Sequence, residues 1–347
     1  MSTFIAKTRA PTPWLAIGLL GAFAAAGCSR DHRAAMTASD AGSQIDAGDP
    51  RKGFPAGAIA TYGWPDQGST DGSRLVIYPA GATAKTAQLA NLKPDLYCGA
   101  LAFDSHGIVY VAIDPPPPAT AHVEAFTLED SGSHGPSRTI DLAAFGFAND
   151  LADIAIDSHD NLYLLRTVGR IFPSNDAVVV IALSAAKADK PLRTLAGDQT
   201  GLSGSMSIAI DERDQLVVLN RIGEVLVFAP DADGNAAPVR RIENPLISPA
   251  SLAVDSAGAI YVSDVDKNSI SVFASGKDTA PVRVLSGAMT ALDFPTALAI
   301  DADDQLLVAP SGSNPVGPLH VFAKGASGNV KPTLGASSSS GEVAVAR

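Results

Sequence analysis

The sequence of 347 residues contains little cysteine, little charge and few aromatic residues. With only Cys28 and Cys98 present, a framework of several disulfides is excluded. Charged residues make up 18% of the chain and its net charge is −11, which argues against the basic surface of a nucleic-acid-binding protein. No HExxH motif and no paired Cys or His spacing is present, so a zinc site has no support. Hydrophobic residues account for 46%, enough for a sizeable core.

The first 28 residues have the three regions of a secretory leader. Basic residues without acidic ones precede an apolar run at 14–27, which is too short to span a bilayer comfortably, and small residues lead to Cys28. Residues 1–27 are therefore predicted to be a signal peptide. The ending Ala25-Ala26-Gly27-Cys28 resembles a bacterial lipobox, although Leu is commoner than Ala at its first position, and this implies that Cys28 is lipidated. A plain secretory signal is the alternative.

Lipidation of Cys28 would anchor the protein to the membrane of a bacterial cell envelope. Ser29 after the cysteine resembles the sorting pattern of outer-membrane lipoproteins, so the outer membrane is the expected location. Residues 28–56 are rich in Ala, Ser, Asp and Gly without apolar periodicity, and they are predicted to form a flexible tether. Cys98 would then be left alone and is expected to be buried.

One phrase of two short strands and a turn recurs five times along the rest of the chain. Its aspartates are spaced at intervals of 53, 54, 44 and 46 residues, at Asp104, Asp157, Asp211, Asp255 and Asp301. Two further strands lie between successive phrases, for example VLVFAP at 225–230 and APVRRI at 237–242. Four strands per repeat without a helical segment are typical of the blade of a β-propeller.

Alanine occupies the position two residues before each repeated aspartate, between two large residues. These alanines are Ala102, Ala155, Ala209, Ala253 and Ala299. Because side chains alternate along a strand, one face of this strand is small and the other bulky. The innermost strands of a propeller have the least room, so a small face against a neighbour's large face is expected at its axis.

The two ends of the chain are predicted to build one composite blade. GEVAVAR at 341–347 resembles a first strand, whereas the second, third and fourth strands are expected in 58–63, 73–79 and 86–92. Pairing of the two ends would close the ring and leave no free sheet edge. The predicted fold class is all-β, a six-bladed β-propeller of four-stranded antiparallel blades spanning 57–347. An open five-bladed array is the alternative.

The repeat, with its VFA, APVR and IYVSD elements, resembles the NHL-type repeat of bacterial six-bladed propellers. That fold hosts enzymes, binding modules and scaffolds alike, so the resemblance implies an architecture and not a function. The repeated aspartates are predicted to be structural, since each opens a turn whose fourth residue is Gly or Asp. DADGN at 231–235 lacks the Gly and Glu of an EF-hand loop and is also predicted to be a turn.

Functional residues are expected in the loops that differ between repeats. The loops that enter first strands and leave second strands share one face, and their polar residues form a candidate ligand site at the mouth of the channel: Asn149, Asp150, Asp153, Arg166, Asn220 and Asp264. Local capping and cross-blade ion pairs are the alternative roles. The first strands present mostly Ala, Ser and Gly to the axis, and no Glu is expected near their entrances. The long loops at 114–122 and 169–180 are candidates for recognition or for spacing.

Three functions remain open. The favoured one is a lipid-anchored, monomeric binding module for an envelope protein, a glycan or a small ligand, without nucleic acid, cofactor or catalytic residue. The second is a metal-dependent hydrolase or lyase. It is implied by similarity to gluconolactonase-like propellers, and Ca²⁺ would be held in the channel by Asn149, Asp150, Asp153, Asn220 and Asp264. The third is a structural part of a larger envelope assembly.

Overall fold

The structure is a computed structural model, and it describes twelve stretches of the chain: 53–63, 74–82, 90–92, 98–130, 135–168, 175–183, 190–243, 246, 248–276, 279–310, 318–337 and 342–346. The predicted signal peptide, Cys28 and most of the predicted tether lie outside these residues, as does the side chain of Cys98. Within the described stretches, no helix has the length and apolarity needed to cross a membrane.

The described residues form six four-stranded antiparallel sheets, which confirms the predicted all-β six-bladed propeller. The composite blade, blade 6, contains β1 (Ile59–Gly63), β2 (Arg74–Tyr78), β3 (Ala90–Leu92) and, from the other end of the chain, β24 (Glu342–Val345). Blade 1 contains β4 (Cys98–Phe103), β5 (Val109–Ile113), β6 (His122–Phe126) and β7 (Arg138–Asp141). Blade 2 contains β8 (Leu151–Ile156), β9 (Asn161–Arg166), β10 (Ala177–Ala182) and β11 (Arg193–Ala196).

The other three blades follow the same order of strands. Blade 3 contains β12 (Ser205–Ile210), β13 (Leu216–Asn220), β14 (Glu224–Phe228) and β15 (Arg240–Glu243). Blade 4 contains β16 (Pro249–Val254), β17 (Ile260–Asp264), β18 (Ser269–Phe273) and β19 (Arg283–Leu285). Blade 5 contains β20 (Pro295–Ile300), β21 (Leu306–Pro310), β22 (Pro318–Phe322) and β23 (Thr333–Ser337). Short 3₁₀ helices occur in the connections, at Leu128–Asp130, Ala143–Phe145 and Ala288–Thr290.

The first and last strands close the ring as predicted. β1 pairs with β24 in antiparallel register, with Ile59 opposite Val345 and Tyr62 opposite Glu342. The N-terminal segment contacts the propeller before β1 begins. Phe54 is buried, and its backbone N–H donates to the carbonyl of Gly107 at 2.7 Å. Residues 53 and 54 therefore pack against blade 1.

Among the described residues, the hydrophobic core consists of six clusters, each lying between two adjacent blades. Ala155 packs with Ile208 and Ile210 of the next blade, and Ala253 packs with Leu298 and Ile300. The remaining inner strands follow the same rule, including the composite blade, where Ala344 packs with Leu101 and Phe103. The small face of each inner strand thus meets the large face of its neighbour, and the predicted reason for the repeated alanines is confirmed.

The repeated aspartates hold the turns between first and second strands. The carboxylate Oδ1 of Asp104 accepts the backbone N–H groups of His106 and Ile108, both at 2.9 Å. The equivalent bonds recur at Asp157, Asp211, Asp255 and Asp301. These turns lie on one face of the ring, here called the turn face, together with the connections between third and fourth strands. The opposite face is called the mouth face.

Candidate functional site

A narrow channel of about 100 Å³ runs between the first strands of all six blades. Each first strand of blades 1 to 5 has an irregular register with its second strand near its entrance, as between Leu151 and Asp153 in β8. Bulges of this kind bend a strand and re-aim its side chains. The polar side chains that line the channel are Asp153, Ser207, Ser251, Thr296 and Glu342.

Three of these side chains bond to the inner strand of the next blade, at the junctions from blade 2 to blade 5. Asp153 Oδ2 accepts the backbone N–H of Ile208 at 2.7 Å. The hydroxyl oxygens of Ser207 and Ser251 accept the equivalent N–H groups of Leu252 and Leu298, at 3.3 and 3.2 Å. A polar residue two positions before the repeated alanine therefore satisfies a backbone group of the neighbouring inner strand.

Two carboxyl groups give the channel its electrostatic character. Burial raises the pKa of Asp153 to about 7, although the backbone N–H groups of Ile208 and Ile154 lower it. Burial also raises the pKa of Glu342 to about 8, and the negative charge of Asp153 raises it further in the same direction. Near neutral pH, the channel thus contains two carboxyl groups that can gain or lose a proton, which marks it as a candidate functional site.

Glu342 corrects an expectation drawn from the sequence. No Glu was expected near the entrances of the first strands, yet Glu342 is the first residue of β24 and lines the channel. It stands two residues before Ala344, as Asp153 stands two before Ala155. Aligning Ala344 of GEVAVAR with the repeated alanines would have revealed Glu342 as a channel residue, because β24 is the first strand of the composite blade.

Three predicted site residues, Asn149, Asp150 and Arg166, lie together on the mouth face between blades 1 and 2. The amide of Asn149 donates to the carbonyl oxygens of Pro115 and Ala119. These bonds connect the proline-rich loop at 114–122 to the connection that enters β8. Asp150 Oδ2 lies 4.0 Å from Arg166 Nε. The nearby carboxyl of Asp114 has its pKa raised to about 6, chiefly by burial and further by Asp150. These contacts hold the loops of blades 1 and 2 together on the mouth face.

Asn220 and Asp264, also predicted, are fully buried at the ends of second strands. Asn220 accepts from Ser205 Oγ at 2.9 Å and donates to the carbonyl of Gly201 at 3.0 Å. Asp264 accepts the backbone N–H of Lys267, whose ammonium lies 3.5 Å away. Both residues cap loops of their own blade and lie apart from Asp153 in the channel.

The calcium ligands implied by the lactonase-like alternative do not fit an ion in the channel. Of the five residues, only Asp153 lines the channel, and both its carboxylate oxygens accept backbone N–H groups. Ca²⁺ takes six to eight oxygen ligands. Among the described residues, one group of three acidic or His side chains lies within metal-binding distance, Asp104, His106 and Asp160. That group lies on the turn face, where Asp160 accepts from Ser105.

Two solved structures share the fold of this chain with TM-scores above 0.5. A protein of unknown function from Bacteroides caccae superposes with a TM-score of 0.59 at 12% identity, over 84% of this chain and all of that one. A protein from Lactobacillus plantarum gives a TM-score of 0.52 at 14% identity, over 78% of this chain and 79% of that one. A virginiamycin B lyase from Staphylococcus aureus gives a TM-score of 0.43 at 12% identity, over 65% of this chain and 67% of that one.

These similarities establish the six-bladed propeller and nothing about chemistry, because the identities are low. No protein-family model matches the chain, and no curated protein matches it in sequence. The resemblance to the NHL repeat therefore stays a prediction.

Proposed function

We propose that the protein is a lipid-anchored NHL-type propeller of the bacterial outer membrane, which acts as a non-enzymatic binding module through its mouth face. The leader sequence and Cys28 support the anchor and the location. The differences between blades support the mouth face as the binding surface, since loops that vary on a rigid scaffold commonly carry recognition.

The observation that carries the proposal is Phe294, in the connection that enters β20 on the mouth face. Its side chain is 48% exposed, and its backbone φ of 48° is left-handed, which is costly for a bulky residue. The backbone N–H of Phe294 donates to Asn268 Oδ1 at 2.8 Å, so the loop that leaves β17 holds this conformation. A strained, exposed aromatic residue fits the anchor of a binding surface.

Two other large apolar residues are exposed in loops of the same face. Val168 and Ile222, in the loops that leave the second strands of blades 2 and 3, are 41% and 58% exposed. Three blades thus contribute apolar side chains around a polar channel mouth. The ligand is an envelope protein, a glycan or a small molecule that covers these side chains.

The binding test compares the full-length protein with two variants on isolated outer-membrane and peptidoglycan fractions. Phe294→Ser is expected to weaken binding by about tenfold, the typical effect of removing an anchor residue. The matched control is Val282→Ser, because Val282 is similarly exposed but lies on the turn face. Equal affinity of both variants and the wild type would contradict the mouth face as the binding surface.

The anchor is tested by fractionating cells that express the protein in the presence of a clickable fatty acid. The wild type should carry the label and sediment with membranes, whereas Cys28→Ala should lose the label and become soluble. An unlabelled wild-type protein released from membranes by salt would leave the plain secretory signal as the explanation.

A hydrolase or lyase acting at the channel is the second candidate, favoured by the carboxyl pair Asp153 and Glu342. Calorimetric titration with Ca²⁺ separates it from the binding module. Stoichiometric Ca²⁺ binding that is lost in Asp153→Asn or Glu342→Gln would favour the enzyme, because both side chains line the channel. A channel without Ca²⁺ affinity would favour the binding module.

A further inference from the structure

A second cavity, of about 500 Å³, opens on the turn face between blades 3 and 4. Its apolar lining includes four buried residues, Val217, Val227, Val254 and Ile260, and the exposed Val239. Asp211, Gln215 and Arg240 supply polar groups at one side of the cavity. The volume is typical of a site for a small molecule.

In three other blades a tyrosine follows the repeated aspartate by six residues. The hydroxyls of Tyr110, Tyr163 and Tyr261 donate to Oδ2 of the aspartate of their own blade, at 3.2, 3.3 and 3.1 Å. In blades 2 and 4 the hydroxyl also accepts from the guanidinium of Arg193 or Arg283, at 2.7 and 3.0 Å. The same guanidinium groups lie 5.8 and 5.6 Å from the ring centroids. Blade 3 has Val217 at this position.

Val217 occupies the same position in the strand register of its blade as Tyr163 and Tyr261 do in theirs. Across the sheet of blade 2, Ala155, Tyr163, Val180 and Arg193 form one row of paired residues. Blade 4 has the same row with Ala253, Tyr261, Val272 and Arg283. In blade 3 the row is Ala209, Val217, Val227 and Arg240. Blade 3 thus has the alanine, the valine and the arginine that surround the tyrosine ring in blades 2 and 4, but it has Val217 in place of the tyrosine.

The junction between blades 3 and 4 also lacks a contact that covers the equivalent space at other junctions. At the junctions that follow blades 1, 2 and 4, the serine after the repeated aspartate donates to the aspartate at the end of the same turn in the next blade, as Ser158 does to Asp214 at 2.7 Å. Between blades 3 and 4, Gly258 replaces the aspartate and Glu212 replaces the serine. Gly258 lines the cavity where the other junctions carry this contact.

We propose that the cavity between blades 3 and 4 binds a small phenolic molecule, whose ring takes the place of the missing tyrosine. The ring lies against Val217, Val227, Val254 and Ile260. Its hydroxyl donates to the carboxylate of Asp211 and accepts from the guanidinium of Arg240, as the tyrosine hydroxyls do in blades 2 and 4. This site lies on the face opposite Phe294, so it is separate from the mouth-face function.

The test measures binding of p-cresol and of toluene to the full-length protein by ligand-observed NMR. One saturable site is expected, with p-cresol at least about tenfold tighter than toluene, because only p-cresol carries a hydroxyl that can hydrogen-bond with Asp211 and Arg240. Equal affinities for the two probes would overturn the proposal.

Two variants locate the site. Val217→Tyr supplies the ring from the chain itself, on a backbone that accepts tyrosine in other blades, and it should abolish p-cresol binding. Unchanged binding in this variant would overturn the proposal.

Arg240→Met should reduce the preference for p-cresol over toluene to below about threefold. Its matched control is Arg283→Met, which alters the same row in blade 4 and should leave p-cresol binding as in the wild type. Loss of binding in Arg283→Met alone would place the probe elsewhere and contradict the assignment.

Discussion

At the scale of single residues, Asp157 illustrates why the repeated aspartate is structural. Its Oδ1 accepts the backbone N–H groups of His159 and Asn161, both at 2.9 Å. Its Oδ2 accepts from the amide of Asn161 at 2.8 Å and from the hydroxyl of Tyr163 at 3.3 Å. One buried carboxylate thus fixes a turn, a strand end and a ring that packs against the next blade.

Replacing Asp157 by Ala should therefore destabilise the protein strongly. The change removes four hydrogen bonds and leaves buried donors without acceptors, so we expect a loss of about 3 kcal/mol in the free energy of unfolding. Urea denaturation measures this loss. The control is Asp231→Ala, in an exposed turn, which should change stability by less than about 0.5 kcal/mol. Similar losses in both variants would show that the hydrogen bonds of Asp157 contribute little.

Glu342 gives a prediction about pH. The carboxyls of Asp153 and Glu342 titrate near 7 and 8 in the folded protein, but near 4 when unfolded. Between about pH 4 and pH 8 the folded state binds more protons, so the free energy of unfolding falls as the pH rises. Glu342→Gln removes one of these charges. We expect it to flatten this slope and to be more stable than the wild type at pH 8 by about 2 kcal/mol, a value reduced for contact with channel water.

Chemical denaturation at pH 5, 6.5 and 8 checks this effect. The control is Glu243→Gln, because Glu243 is exposed in β15. A wild type whose stability rises from pH 5 to pH 8 in parallel with the Glu342→Gln variant would show that the channel carboxyls are not titrating in this range.

At the scale of elements, the N-terminal segment meets blade 1 at Gly107. This glycine has a left-handed φ of 77°, and a Cβ there would lie 2.0 Å from the carbonyl oxygen of Phe54. The ring of Phe54 packs edge-on against Phe103, with centroids 6.4 Å apart. A side chain at Gly107 would have to displace this segment from the blade.

We expect Gly107→Ala to lower the free energy of unfolding by about 3 kcal/mol, through steric displacement and backbone strain together. Limited proteolysis should then cleave near residue 54 more rapidly. Gly81→Ala is the matched control, because Gly81 has a φ of 66° but no atom within 4 Å of the added Cβ. It should lose only about 1 kcal/mol. Equal losses would mean that the segment contributes no stability.

The elements of this fold were predictable because their pattern repeats. The alternation around Ala155 or Ala253 fixes which face of the inner strand is small, and the packing between blades confirms it. The strands of blade 6 were placed by the same pattern at both ends of the chain. The site was less predictable, because a loop residue such as Asn149 or Asn220 can bind a ligand or cap a turn, and the residue type alone does not distinguish these roles.

At the scale of the whole molecule, closure is a contact between the two ends of the chain. β24 is the inner strand of the composite blade, and Val343 and Ala344 belong to the cores on its two sides. Backbone hydrogen bonds join residue 346 to Gly57 and Ala58, both at 2.8 Å. Ring stability therefore depends on a strand of four residues at the end of the sequence.

Ending the chain after residue 341 should open the ring. The truncation exposes the edge of β1 and removes apolar contacts with blades 5 and 1, so we expect the unfolding midpoint to fall by at least about 10 °C. The free edge should also promote association, which size-exclusion chromatography would detect as species larger than a monomer. Glu342→Gln serves as the control, because it removes the channel charge but keeps β24. A truncated protein that melts with the full chain and stays monomeric would show that five blades are self-sufficient, and the closed six-bladed ring would then not be what stabilises this fold.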